Sequence, residues 1–252
     1  MKNFIIAYWK TLLFFAIIGL IGGFFVGIYQ LDSFPTELRQ QVYDQGVTNT
    51  MLGLVSAVQS AGLGIVLGAL GILLGKQTGL WKDEQSLTKK PLIISLVIGI
   101  VGGMVLILSD LLFFGNYSQA IIESYSAKPT IPYLIAMVIY GGIIEEVMLR
   151  LFFMSLIAFI LHKMFGNKND KPTTTIFIVS NFIAAILFAV GHLPINSILF
   201  GLTTMIVFRC FLLNGGLALL FGYLYQKYGL RYAMIAHAGC HVVSKLIWIL
   251  FI

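Results

Sequence analysis

Long apolar runs separated by short polar segments organise the whole chain. The first run covers 11–29, behind Lys2 and Lys10, and a polar segment follows from 30 to 49. Further runs cover about 50–75, 91–115 and 131–165, then 174–192, 196–213, 217–226 and 231–252. A membrane-spanning helix needs roughly 20 consecutive apolar residues. The pattern therefore predicts an all-α, polytopic transmembrane bundle of about eight spans, with seven possible. The first run has the charge order of a signal peptide, but it is too long for an h-region and no small-x-small site follows. An uncleaved first span is expected. The glycines at 53, 62, 64, 68, 71 and 75 favour close helix packing. Asn214-Gly215-Gly216 reads as a turn. The 131–165 run is long for one span, and Gly141-Gly142 would divide or bend it.

Composition supports this reading. Of 252 residues, 59% are hydrophobic and 10% charged, with a mean hydropathy of +0.95. A soluble domain carries about 25% charged residues, so a cytosolic enzyme, a disordered chain and a nucleic-acid binder are excluded as leading classes. The net charge of +6 is scattered, with no basic stripe. It reads as loop charge and anionic-lipid contact, with the bilayer as a partner and no nucleic acid. Lysines near the N-terminus, in 76–90 and in 163–171 alternate with loops holding only Arg39 and Lys128. That places the N-terminus in the cytoplasm. Lys227 and Arg231 fall on the wrong side of an eight-span chain. Cys210 and Cys240 form no CxxC pair and read as small apolar groups.

Ionisable residues inside apolar runs cost about 2.5–3.5 kcal/mol on insertion scales and need a reason. Glu145, Glu146 and Arg150 share one run. Glu146 and Arg150 are i,i+4 with the acid first, the better orientation for a helical pair. Glu145 lies about 100° around the helix, free to face elsewhere and to serve as a general base. The bland alternative is a structural ion pair with a second acid reaching for water. His237 and His241 are also i,i+4, a spacing that suits two ligands of one metal, although no glutamate follows His237 to make HExxH. Lys245 continues that face. His192 alone reads as an interfacial cap of its span. Asp110 and Arg209 would be structural partners or line a polar cavity.

Taken together, Glu145-Glu146-x-x-x-Arg150, Phe188-x-x-x-His192 and His237-x-x-x-His241 resemble the motifs of the CAAX-protease and bacteriocin-processing (CPBP, or Abi) family of intramembrane proteases. The resemblance covers roughly 130–250. It implies N-terminal membrane helices of unassigned role at 1–130 and catalytic core helices at 131–252. It further implies an intramembrane endopeptidase, a hydrolase of CAAX prenyl endopeptidase type. In it Glu145 and His192 activate a water, Glu146 and Arg150 shape and neutralise the site, and His237 with its i+4 partner stabilises the oxyanion. His241 stands where the family usually has Asn or Asp. No cofactor is favoured by the resemblance. The alternative is a divalent metal such as zinc on His192, His237, His241 and Glu145. On span counting Glu145 is near mid-membrane and His192 near the end of its helix. They meet only if the fourth segment starts outside the membrane or the fifth is kinked or deeper. The expected substrate is a membrane-associated peptide or protein: a leader, pheromone or bacteriocin-type precursor. With short loops and no organelle signal, the chain reads as bacterial and multi-pass in the cytoplasmic membrane, which disfavours prenylated substrates. Two other readings compete. One is a non-catalytic immunity or signalling-partner protein of the same family; the other is a transporter using the Glu-Arg-His cluster as an ion path. Oligomeric state is left open by the sequence.

Overall fold

Apolar runs become helices because, in hydrocarbon, only a helix or a closed barrel satisfies every backbone N–H and C=O. The computed structural model describes residues 2–83, 86–166 and 171–252. The loop residues Lys168 and Asp170 lie outside the described residues. Helix α1 is Lys2–Ser33, followed by the short α2, Thr36–Asp44. Helix α3 is Asn49–Thr78, capped by the Thr48 side chain accepting from the Met51 N–H, and ended by Gly79 at φ 75°. That left-handed conformation favours glycine. Helix α4 is Lys89–Leu112, and α5, Gln119–Glu123, lies in the following loop.

The segment 131–165 is one continuous helical rod. It begins as α6, Ile131–Ile135, widens into π-helical turns at Ala136–Ile144 and Val147–Met154, and ends as α7, Ser155–Phe165. Gly141-Gly142 does not divide it. Helix α8 is Thr174–Phe200 and continues past Pro194. Helix α9, Thr204–Cys210, a π-helical turn at Phe211–Gly215 and α10, Gly216–Tyr228, form a single rod. Helix α11 is Leu230–Phe251.

The span count is thereby corrected. Among the described residues six helices are long and apolar enough to cross a membrane, and the 131–165 rod adds one more. The runs at 196–213 and 217–226 are not two spans. The first is split between α8 and α9, and the Asn-Gly-Gly turn signal is overridden inside a helix. There the Asn214 amide is occupied by the Cys210 sulfur at 3.5 Å. Proline is tolerated in membrane helices where neighbours re-satisfy the freed backbone.

The corrected count also resolves Lys227 and Arg231. Both line one end of the bundle together with Lys10 and Lys82, while Arg39 and Lys128 lie at the other: Lys128 Nζ donates to the Ile249 carbonyl at 3.0 Å, at the far end of α11. Glycines bring α1 and α3 close. A Cβ on Gly19 would sit 2.7 Å from the Ser60 carbonyl, and one on Gly64 2.9 Å from that of Phe15. Of the α3 glycines, Gly62 alone faces open space. Both cysteines are free and buried.

Candidate active site

The π-helical turns flank Glu145-Glu146 on both sides. Such turns occur often at functional sites, because one extra residue per turn re-aims side chains. Here the two glutamates part company. Glu145 lines a cavity of about 510 Å³ with a side chain 20% exposed, whereas Glu146 is fully buried behind the wall. The fixed i,i+4 pair of Glu146 and Arg150 is present, Nη1 to Oε1 at 2.9 Å. Nη1 is at ion-pair distance without hydrogen-bond alignment, while Nη2 donates to the Ala218 carbonyl at 3.2 Å. The guanidinium lies over the Phe188 and Phe221 rings, at 4.9 and 5.4 Å from their centroids. Such cation–π contacts strengthen when desolvated.

Glu146 Oε1 also takes His237 Nδ1 at 2.8 Å. With Nδ1 held by a carboxylate, Nε2 is the nitrogen left for chemistry, and it stands 4.0 Å from Glu145 Oε2. Phe221 stacks on the His237 ring with centroids 4.6 Å apart, and His241 also stacks on it at 5.0 Å. The imidazole is thus clamped in orientation. His241 Nδ1 is buried and has no hydrogen-bond partner among the described residues. Gly141 makes room for it: a Cβ there would lie 2.8 Å from His241 Nε2.

His192 lines the same cavity. Its Nδ1 lies 2.8 Å from the Phe188 carbonyl, which can only accept, so Nδ1 carries the proton and Nε2 offers a lone pair. The depth problem posed by span counting is solved by α8 itself. The helix continues past Pro194 to Phe200, so His192 is not its end. It is a wall residue rather than a cap.

The cavity extends from Glu145 towards the end of the bundle where α1 ends, reaching Gln30 and Ser33. A second polar cluster lines it there. Arg209 grips both Asp110 oxygens, at 2.5 and 2.6 Å, and Nη1 reaches Asn196 Oδ1 at 3.1 Å. Tyr125 donates to Asp110 at 2.8 Å. Asp110 and Arg209 are therefore both partners and cavity residues. Lys245 lines the cavity as well, between the rings of Tyr133 and Trp248. Asn196, Tyr125 and Phe221 were missed by sequence reasoning. Asn196 carried a signal, being a polar residue one turn beyond His192; Tyr125 in a loop and Phe221 in an apolar run carried none.

Among the described residues no group of three or more His, Cys, Asp or Glu is arranged to hold a metal ion. His237 and His241 stack ring on ring, and His237 Nδ1 is committed to Glu146.

In comparisons with known proteins, residues 127–243 match a family model described as type II CAAX prenyl endopeptidase Rce1-like. No curated protein and no solved structure matches the chain.

Proposed function

Because residues 127–243 match a CAAX prenyl endopeptidase family model, we propose that this chain is an intramembrane endopeptidase of the CAAX-protease (CPBP) family with Glu145 as its general base. The observation that carries this reading is the split of the glutamate pair. Glu146 is buried and committed to Arg150 and His237, while Glu145 faces the cavity opposite His237 Nε2.

The roles follow from the hydrogen bonds. A water in the cavity gives one proton to Glu145 while its oxygen attacks the scissile carbonyl carbon. The Nε2 lone pair of His192 accepts the water's other hydrogen and orients it. The carbonyl oxygen becomes an oxyanion. His237, oriented by the Nδ1 hydrogen bond to Glu146, donates from Nε2 to that oxyanion when the ring carries both protons, and His241 adds a second donor. Glu145 then hands its proton to the leaving nitrogen, the C–N bond breaks, and a carboxylic acid and an amine form, the acid's proton passing to the amine as the products leave. Glu146 and Arg150 are positioning residues. This chemistry is complete without a metal. The substrate is a membrane-associated peptide or protein of leader, pheromone or bacteriocin type. The site lies in a bacterial cytoplasmic membrane with the N-terminus inside.

The test compares cells carrying wild type with cells carrying Glu145→Gln at matched expression. Membrane and secreted peptides are profiled by mass spectrometry for new termini. Termini found only with wild type are expected, and they name the substrate. Identical profiles, with a phenotype that both versions rescue equally, would instead identify a non-catalytic immunity or signalling partner.

A further inference from the structure

A second cavity, of about 660 Å³, lies at the opposite, N-terminal end of the bundle. That is within the range of pockets that hold small molecules, roughly 300–1,000 Å³. Its origin is in the helix packing. Helix α1 leans on α3 and on the π-helical turns at Ala136–Ile144, whereas α11 leans on α4 and on those same turns. The space between the two pairs is lined by Ile143 and by Trp81, Lys82, Asp83, Leu87 and Thr88.

The lining has two halves of different chemistry. Lys10, Lys82 and Lys227 stand at the rim, with Arg231 beside them and Asp83 as the acidic residue among the described ones. Asp83 is already occupied, accepting from Tyr8 at 2.8 Å and from Trp81 at 3.0 Å. Lys82 donates to the Lys227 carbonyl, and Lys227 to the Tyr223 hydroxyl. Among the described residues none of these three lysines has a carboxylate partner. Burial pushes the Lys82 ammonium below its ordinary pKa, so that cation gains by meeting an anion. Below the rim the walls are apolar: Phe14 and Leu87, 47% and 49% exposed, then Ile143 and Ile235. A soluble anion would use the rim and waste the walls. An acyl chain would use the walls and waste the rim.

We propose that this cavity binds one anionic phospholipid, its headgroup phosphate among Lys10, Lys82 and Lys227 and an acyl chain along Phe14 down to Ile143. Basic pockets between membrane helices hold anionic headgroups in this way. The site is separate from the Glu145 cavity, and the proposal does not depend on peptidase activity. Ile143 is two residues from Glu145, so the bound chain would touch the helix that carries the catalytic glutamate.

The test uses the full chain in nanodiscs of phosphatidylcholine with graded phosphatidylglycerol, followed by native mass spectrometry of retained lipid. Wild type is expected to retain one phosphatidylglycerol in preference to phosphatidylcholine. Lys10→Gln/Lys227→Gln should weaken retention about tenfold, while Lys163→Gln, a lysine outside the cavity, should leave it unchanged. Thermal unfolding checks that each variant is folded. Should the double variant lose its fold, Phe14→Trp, which fills the apolar wall, replaces it and should lower retention. Equal retention of the two lipids by wild type, equal loss with Lys163→Gln, or displacement of phosphatidylglycerol by millimolar inorganic phosphate would each overturn the proposal.

Discussion

One carboxylate oxygen, Glu146 Oε1, ties the site together, meeting Arg150 at 2.9 Å and His237 at 2.8 Å with both acid and arginine buried. Removing either partner strands a charge, which costs about 3–5 kcal/mol in buried pairs. Arg150→Ala should therefore lower the yield and melting temperature of purified protein as well as its activity; wild-type melting with activity lost would give Arg150 a direct catalytic role. Glu145→Gln should behave oppositely, keeping the melting temperature and losing cleavage. At the third motif, His241→Asn replaces an imidazole donor by an amide donor, as the CPBP motif usually has. Cleavage should survive within about tenfold in the terminus-profiling assay, and its loss would show that the imidazole itself is needed. These residues were legible in the sequence because ionisable groups are costly in apolar runs. Their division of labour was legible only as a helical angle.

Among the elements, the 131–165 rod departs most from expectation. A regular α-helix placed Glu145 and Glu146 about 100° apart. The π-helical turns flank the pair and put Gly141 against His241 and Gly71 of α3 against Leu151. A Cβ on Gly71 would sit 2.7 Å from the Leu151 carbonyl, so Gly71→Val should push α3 off the turn beside Arg150. Overpacking of this kind costs about 1–3 kcal/mol, readable as a lower melting temperature, with Gly62→Val as the neutral control. The loop after α3 carries a pH signature. Hydrogen bonds from Tyr8 and Trp81 hold the Asp83 carboxyl below its ordinary pKa. A depressed carboxylate pKa stabilises the fold above the unfolded value, about 3.9, and that contribution fades as pH falls through the folded value. Asp83→Asn should thus flatten the acid limb of the melting-temperature profile slightly, the group being exposed.

At the scale of the whole molecule, one end collects Lys10, Lys82, Lys227 and Arg231 and the other Arg39 and Lys128. The basic end is expected on the cytoplasmic side. Both native cysteines are buried, so single added cysteines report orientation. Lys89→Cys should react with an impermeant maleimide only after permeabilisation, and Gln41→Cys in intact cells; the reverse pattern would invert the topology. The two cavities sit at opposite ends, and the Glu145 cavity draws walls from α1 and α4 as well as the motif helices. The N-terminal helices, which carry no motif, thus shape the site by supplying Tyr29 and Asp110 to its wall.

The amino-acid sequence by itself determined the membrane class, the helical architecture and the short list of polar residues, because each follows from transfer free energies that act residue by residue. It also carried the motif order behind the family resemblance, which the family-model match over 127–243 supports. It did not determine the span count, since whether Pro194 or Asn214-Gly215-Gly216 ends a helix depends on neighbours that satisfy the backbone. Nor did it determine which glutamate faces the cavity, which nitrogen of His192 or His237 is available, or that Asp110 and Arg209 share that cavity. Those were decided by tertiary packing, because a hydrogen bond between residues some 90 positions apart, such as Glu146 to His237, leaves no periodic trace along the chain.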